Sequence, residues 1–299
     1  STITNTFAPF NDGTITIGTD GGTQTFNGGL SMISSPATGI TLNGTIQSSN
    51  DQFVLINVTL ASDTIIDTNA TSSTGSILIN TVTGGNNNLT LSTGDNVNAN
   101  INMSIASQAS SGIATLTLRD IGGKFFTDGN ISATTLSVDN TVHDVSFTGG
   151  TNTFTNAVTF QNDGTLELGN SASDTFNFNG GVTESTSGTV TLASTINSSN
   201  DAISFGAVTL GANTTIDTNA SSNAADLTLG AVTGGNNTLT LTTENNIAGA
   251  DITASGAISG VTTLTLASVG GTATLSGDVD VTTLSVDNTV ANVAFTGNG

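Results

Sequence analysis

The sequence predicts an all-β protein, a parallel β-helix (β-solenoid) coiled from two copies of one unit of roughly 150 residues. Three observations carry this: a long internal repeat, short alternating apolar runs, and glycine- and asparagine-rich corners between the runs. The repeat comes first, because a fixed period reorganises every other reading. Residues 134–142 read TTLSVDNTV, and residues 282–290 read the same nine letters. VTGGNN occurs at 82–87 and 232–237, IDTNA at 66–70 and 216–220, and SSND at 48–51 and 198–201. Asn11-Asp12-Gly13 returns as Asn162-Asp163-Gly164. Residues 1–150 are therefore expected to form a first solenoid repeat, and 151–299 a second one continuous with it.

The strands follow in order along each copy. Short runs such as TITI (14–17), VTL (58–60) and LTL (89–91, 116–118) alternate apolar and hydroxyl side chains, and ILI (77–79) is a short apolar run of the same length. The second copy continues with VTL at 190–192 and 208–210 and LTL at 227–229, 239–241 and 264–266. Period-two alternation puts Leu, Ile and Val on one face of a strand and Thr or Ser on the other. Between the runs stand Gly84-Gly85-Asn86, Asn27-Gly28-Gly29, Asp128-Gly129 and Gly270-Gly271. Gly and Asn tolerate the positive φ of a sharp corner. No helical periodicity interrupts the pattern, and Ser, Thr, Asn and Gly are poor helix formers.

Two architectures could hold such strands: a coil with parallel stacking, or a tandem sandwich built from hairpins. Very short, dense strands, few aromatics (13 Phe, no Trp or Tyr) and a repeat without a linker favour the coil. Asn-Gly and Asp-Gly pairs, which are good hairpin turns, speak for the sandwich. The steps from Val190 to Val208 and from Val208 to Leu227 suggest about 20 residues per rung. That predicts about fifteen rungs and a rod on the order of 70 Å, at ~4.8 Å per rung.

Composition excludes several functions. With 22 acidic and two basic residues the net charge is −20, which opposes nucleic acid and anionic membranes alike. The chain is 35% hydrophobic and 8% charged, and its apolar residues are patterned, unlike a disordered segment. No apolar run approaches the ~18 residues of a membrane span. The chain begins at Ser1 rather than Met and reads as a processed product or a segment of something longer. The absence of cysteine fits export to an extracellular or cell-surface location.

The runs GAVTLGANTTIDT (206–218) and VTGGNNTLTL (232–241) resemble the repeat regions of large secreted bacterial surface proteins, the filamentous-haemagglutinin-type exoproteins and autotransporter passengers. That resemblance implies a right-handed parallel β-helix, extracellular placement, and adhesion or scaffold duty. It transfers no binding residues.

Candidate chemistry is thin. His143 is the single histidine and has Ala291 as its echo, so it reads as a surface turn residue. The carboxylates Asp12/Asp163, Asp51/Asp201, Asp67/Asp217 and Asp139/Asp287 are echoes about 150 residues apart, and read as turn residues rather than an acid/base couple. No cofactor is expected. Calcium suits oxygen-rich turns, but the glycine-rich nonapeptide of calcium-binding β-rolls is absent. Outward pairs such as Thr238/Thr240 and Thr263/Thr265 resemble ice-binding arrays, although uneven strand spacing argues against flat, regular rows.

The stretch 119–126 breaks the repeat, with Arg119 facing Ala267 and Lys124 without a counterpart. Arg119, Lys124, Phe125 and Phe126 are therefore the candidate contact patch, with core filling by the Phe pair the competing reading. The ends suggest partners. Asn5-Thr6-Phe7 aligns with Asn152-Thr153-Phe154, and Phe295-Thr296-Gly297 with Phe147-Thr148-Gly149. Copies placed end to end, or further repeats of a longer chain, would continue this register, and surface glycans are the other expected partner. The functional expectation is a non-enzymatic structural or adhesive solenoid, with a polysaccharide-binding or polysaccharide-cleaving β-helix, or an ice-binding adhesin segment, as alternatives.

Overall fold

The alternating runs bury one face each: Ile77 and Ile79 are buried while Leu78 between them faces outward, and Leu227 and Leu229 flank an exposed Thr228 in the same way. The computed structural model describes residues 1–19, 21–33, 38–95, 98–103, 108–185 and 188–297. Within them the chain is a parallel β-solenoid of about 12 turns at a spacing of ~23 residues. The one helical element among these residues is a short 3-10 turn, Ser73–Gly75. No helix there is long and apolar enough to cross a membrane.

The chain divides into two compact units, residues 1–149 with 161–164, and residues 150–160 with 165–299. In the first unit three columns of parallel pairing stand side by side. One starts at Thr14–Ile17 and continues through the first halves of Gly39–Gln47, Val58–Asp67, Val82–Ser92, Ser110–Leu118 and Ile131–Val138. A second starts at Thr2–Ile3 and Thr23–Phe26 and uses the second halves of the same long strands. The third climbs from Leu30–Ser31 through Phe53–Leu55, Ile77–Ile79, Ile101–Met103 and Ile121–Thr127 to Val142–Phe147.

The second unit repeats this plan with shorter pieces. Its first column runs from Leu166–Leu168 to Val190–Leu192, Val208–Leu210, Val232–Thr233, Ile258–Ala267 and Val279–Val286. Its second contains Thr151–Phe154, Thr175–Phe178, Thr195–Ser198, Thr214–Asp217 and Thr238–Thr242 before joining the same last two strands. Its third contains Val158–Phe160, Val182–Glu184, Ile203–Phe205, Leu227–Leu229, Ile252–Ala254, Thr272–Leu275 and Asn292–Phe295. These ladders are parallel throughout, so the Asn-Gly pairs make corners and not hairpins.

Two details of the expected register are corrected. Rungs average ~23 residues and not 20, because Val208 and Leu227 stand on different columns. Val208 pairs with Val232, and Leu227 with Ile203. At the start of the chain Ile3, not Phe7, is the counterpart of Phe154: Ile3 pairs with Phe26, and Phe154 with the equivalent Phe178. Phe7 instead bridges to Leu30 on the third column.

The interior is a stack of aliphatic side chains with phenylalanine clusters. Phe178 stacks on Phe154 at 5.6 Å and meets Phe160 edge-on at 6.0 Å. Phe125 packs on Phe147 at 5.4 Å. Such pairs contribute about 0.5–1.5 kcal/mol each beyond the area they bury.

The repeated tetrapeptides are corner hardware. The Ser48 hydroxyl, buried, donates toward the Asp51 and Thr68 carbonyls, and Ser198 does the same to Asp201 and Thr218. In VTGGNN each glycine has its own reason. A Cβ on Gly84 would fall 2.3 Å from the Gly112 carbonyl oxygen, and one on Gly234 2.4 Å from that of Gly260. Gly85 and Gly235 sit at φ +58° and +57°, where side chains are strained. Asn87 and Asn237 then tie the corner to the previous rung through the Leu60 and Leu210 carbonyls.

Candidate functional site

The stretch 119–126 divides its side chains between inside and outside. Phe125 is fully buried against Phe147, so it fills the core and leaves the expected contact patch. Lys124 and Phe126, two residues apart on the same strand, face outward, with the ammonium 5.6 Å from the ring centroid. Arg119 lies at the corner before the strand, 3.9 Å from the carboxylate of Asp120. Phe126 continues an outward row of Val54, Leu78 and Asn102 on the third column of the first unit. This is a narrow, mainly apolar stripe, interrupted by Asn102 and capped by one cation.

His143 sits in the strand Val142–Phe147, not in a turn, and its Nδ1 lies 2.8 Å from Asp163. The Asp163 hydrogen bond raises the imidazole pKa above its ordinary value, burial opposes it, and the negative charges of Asp144 and Asp163 add to the rise. Both partners are more than half exposed, and the shallow recess around them also holds Asp95, Asn140 and Thr141. This is a solvated ion pair. The partner was invisible in the sequence, because twenty residues separate the two and only the rung length brings them together.

Three of the echoed carboxylates, Asp67, Asp217 and Asp287, bond the backbone two residues on, as turn residues do. Asp67 accepts from the Asn69 N–H and Asp217 from the Asn219 N–H, each holding an asparagine at positive φ. Asp287 accepts from the Thr289 N–H in the same manner. Asp217 departs from its echo in one respect. It is 7% exposed, and burial pushes its carboxyl up to about 6, with the nearby Glu244 pushing the same way and the Asn219 hydrogen bond opposing. Glu244 replaces Gly94 of the first copy, so this second acid lay outside the pairs that the repeat brought forward. Among the described residues no three His, Cys, Asp or Glu side chains converge as a metal site would require.

A groove on the outside of the first unit is lined by Asp63, Asn88, Thr90, Thr115 and Thr117. Asp63 accepts from both the backbone and the side chain of Asn88 at 2.9 Å, and these bonds hold its carboxyl below the usual value. The carboxylate is committed to that ladder.

The outward threonines form rows after all. In the second unit Thr151, Thr175, Thr195, Thr215, Thr240 and Thr265 are successive register partners. Thr228, Thr253 and Thr274 make another row on the third column. Strand spacing in the sequence is uneven, but the corners absorb the unevenness and leave the rows aligned.

The last rung of the second unit carries the most apolar exposed surface of that unit. Leu284, Val286 and Phe295 are 36%, 44% and 59% exposed, although their echoes Leu136, Val138 and Phe147 are 2%, 2% and 0% exposed. A concavity framed by Val279, Val281, Leu284 and Phe295 opens there.

The fold and these surfaces define a β-solenoid. No protein-family model, curated protein or solved structure matches the chain.

Proposed function

We propose that the protein is a non-enzymatic structural or adhesive β-solenoid of an extracellular or cell-surface setting. One observation carries this reading: polar corner side chains common to both copies are spent on architecture. Ser48/Ser198, Asp67/Asp217, Asn87/Asn237 and Asn69/Asn219 all bond corners or neighbouring rungs. What remains outside is a set of threonine rows and one apolar stripe, which suit contact better than bond cleavage. With two basic residues, the chain also offers trypsin-like proteases little to cut. The test incubates the protein with neutral and acidic polysaccharides and measures new reducing ends. No release is expected, and sustained release would overturn the non-enzymatic reading. Binding on a glycan array would mark the adhesive form, and its absence the purely structural one.

A second reading, ice binding, is favoured by the aligned pairs Thr238/Thr240, Thr263/Thr265 and Thr283/Ser285. They form a grid of hydroxyls at ~4.8 Å between strands and ~6.6 Å along them. Thermal hysteresis in a freezing-point assay supports this reading, and its absence removes it.

A further inference from the structure

We propose that the outward row Val54, Leu78, Asn102 and Phe126 of the first unit is a binding site for a neutral, extended β-linked glycan lying along the coil axis. The proposal rests on the adhesive reading above and deepens it by naming the ligand class. The four residues are successive register partners on the third column, and each is partly exposed. Ser31 precedes Val54 in the same row and Ser146 follows Phe126, so the stretch has polar limits at both ends.

The second copy shows what the fold itself requires at these places. The echoes are Ser204, Thr228, Thr253 and Thr274, which are register partners in the same way. Hydroxyls therefore satisfy the coil, and Val54, Leu78 and Phe126 add apolar surface that it does not need. On the other columns outward threonines persist in both copies, as in Thr59/Thr209, Thr83/Thr233 and Thr90/Thr240. Ile65, against Thr215, is a lone departure between Thr45 and Thr90. A concerted departure along one row marks a site shaped for contact.

Geometry selects a thin, linear occupant. Rungs are ~4.8 Å apart, so the row is ~14 Å long and one side chain wide. A folded partner, a second copy of this chain included, needs about 800 Å² from each surface, which the row cannot supply. An extended peptide shows a given face one side chain every ~6.7 Å, and polyproline II one every ~9 Å, so neither keeps step with the rungs. A β-linked pyranose chain advances by about one rung per sugar, and each ring carries an apolar C–H face. Val54, Leu78 and Phe126 each lie under one ring, and the Asn102 amide bonds the hydroxyls of another. Charge selects a neutral chain. The row holds no carboxylate, and its flanking cation, Lys124, faces Asp144 in the ladder. At a net charge of −20 the protein repels a uronate chain.

Isothermal titration calorimetry of the full 299-residue chain tests this with cello- and chito-oligosaccharides, both neutral and β-linked. Malto-oligosaccharide is the coiled α-linked control, and oligogalacturonate the charged one. One or both β-linked probes should bind, and both controls about ten-fold more weakly or worse. Phe126→Thr and Leu78→Thr install the residues that the second copy holds at the same places, and each should weaken binding about ten-fold. Leu78→Thr, away from the Lys124–Phe126 contact, carries the test alone should Phe126→Thr misfold. Thr228→Ala, in the second unit, should leave binding unchanged. No binding of either β-linked probe by the wild type overturns the proposal and leaves the purely structural form standing. Binding that survives both row substitutions, or that a control matches, overturns it while the adhesive form stands. Release of new reducing ends is a separate failure, that of the non-enzymatic reading.

Discussion

Leu136 and Leu284 sit in the same nine-residue sequence and pair with equivalent leucines, Leu116 and Leu264. They differ in exposure, 2% against 36%. Leu136→Ala removes a fully enclosed side chain and leaves a cavity, which costs about 3–5 kcal/mol. Leu284→Ala forfeits only the transfer energy of the covered two-thirds and leaves a dent open to water, about 1–2 kcal/mol. The gap is therefore about 2 kcal/mol between identical substitutions in identical local sequence. Urea unfolding followed by circular dichroism measures it. Native-state hydrogen exchange at the Leu116 and Leu264 amides assigns each loss to its own unit. Equal losses at the two positions would refute the claim that coverage by neighbouring rungs, and not local sequence, sets the stability of a rung.

Thr68 and Thr218 are echoes with different partners: the Thr68 hydroxyl donates to the Gly75 carbonyl, while Thr218 Oγ1 finds no hydrogen-bond partner among the described residues. Thr68→Val should cost about 1–2 kcal/mol in thermal unfolding, and Thr218→Val should be neutral or stabilising. Asp217 has a folded pKa of about 6 against an ordinary 3.8, so its favourable protonated form is fully present below pH ~3.8 and is lost as pH rises through about 6. Asp217→Asn should therefore match wild type at pH 4 and exceed it by about 1–3 kcal/mol at pH 7.5 in paired denaturation curves. The His143 pKa is raised, so the pair with Asp163 stabilises below the ordinary histidine value and fades as pH climbs past the folded one. An NMR titration should find the His143 midpoint above 6.5 in wild type and lower in Asp163→Asn.

The parallel coil was legible because alternation and repeat are local signals: Leu227-Thr228-Leu229 declares its buried and outward sides in three letters. Rung length was harder to read, since Val208 and Leu227 look equivalent in sequence while belonging to different columns. The same blindness hid the His143–Asp163 pair and the alignment of the threonine rows, both of which exist only once rungs are stacked. Phe125 and Phe126 illustrate a different limit. Adjacent residues on a strand must point opposite ways, so a contiguous patch at 124–126 was never available to one surface. Thr6 and Phe7 misled by composition: their likeness to Thr153 and Phe154 outscored the true register, four residues away.

Rung length in this coil varies widely. Ile40 meets Val58 after 18 residues, and Thr83 meets Ser111 after 28, yet both pairs lie on one column of the first unit. A swing of ten residues is taken up by bends and by register shifts within the ladders, while the column as a whole continues. Foreign peptides spliced into such bends would be carried as passengers, spaced along the fold at intervals chosen by the engineer.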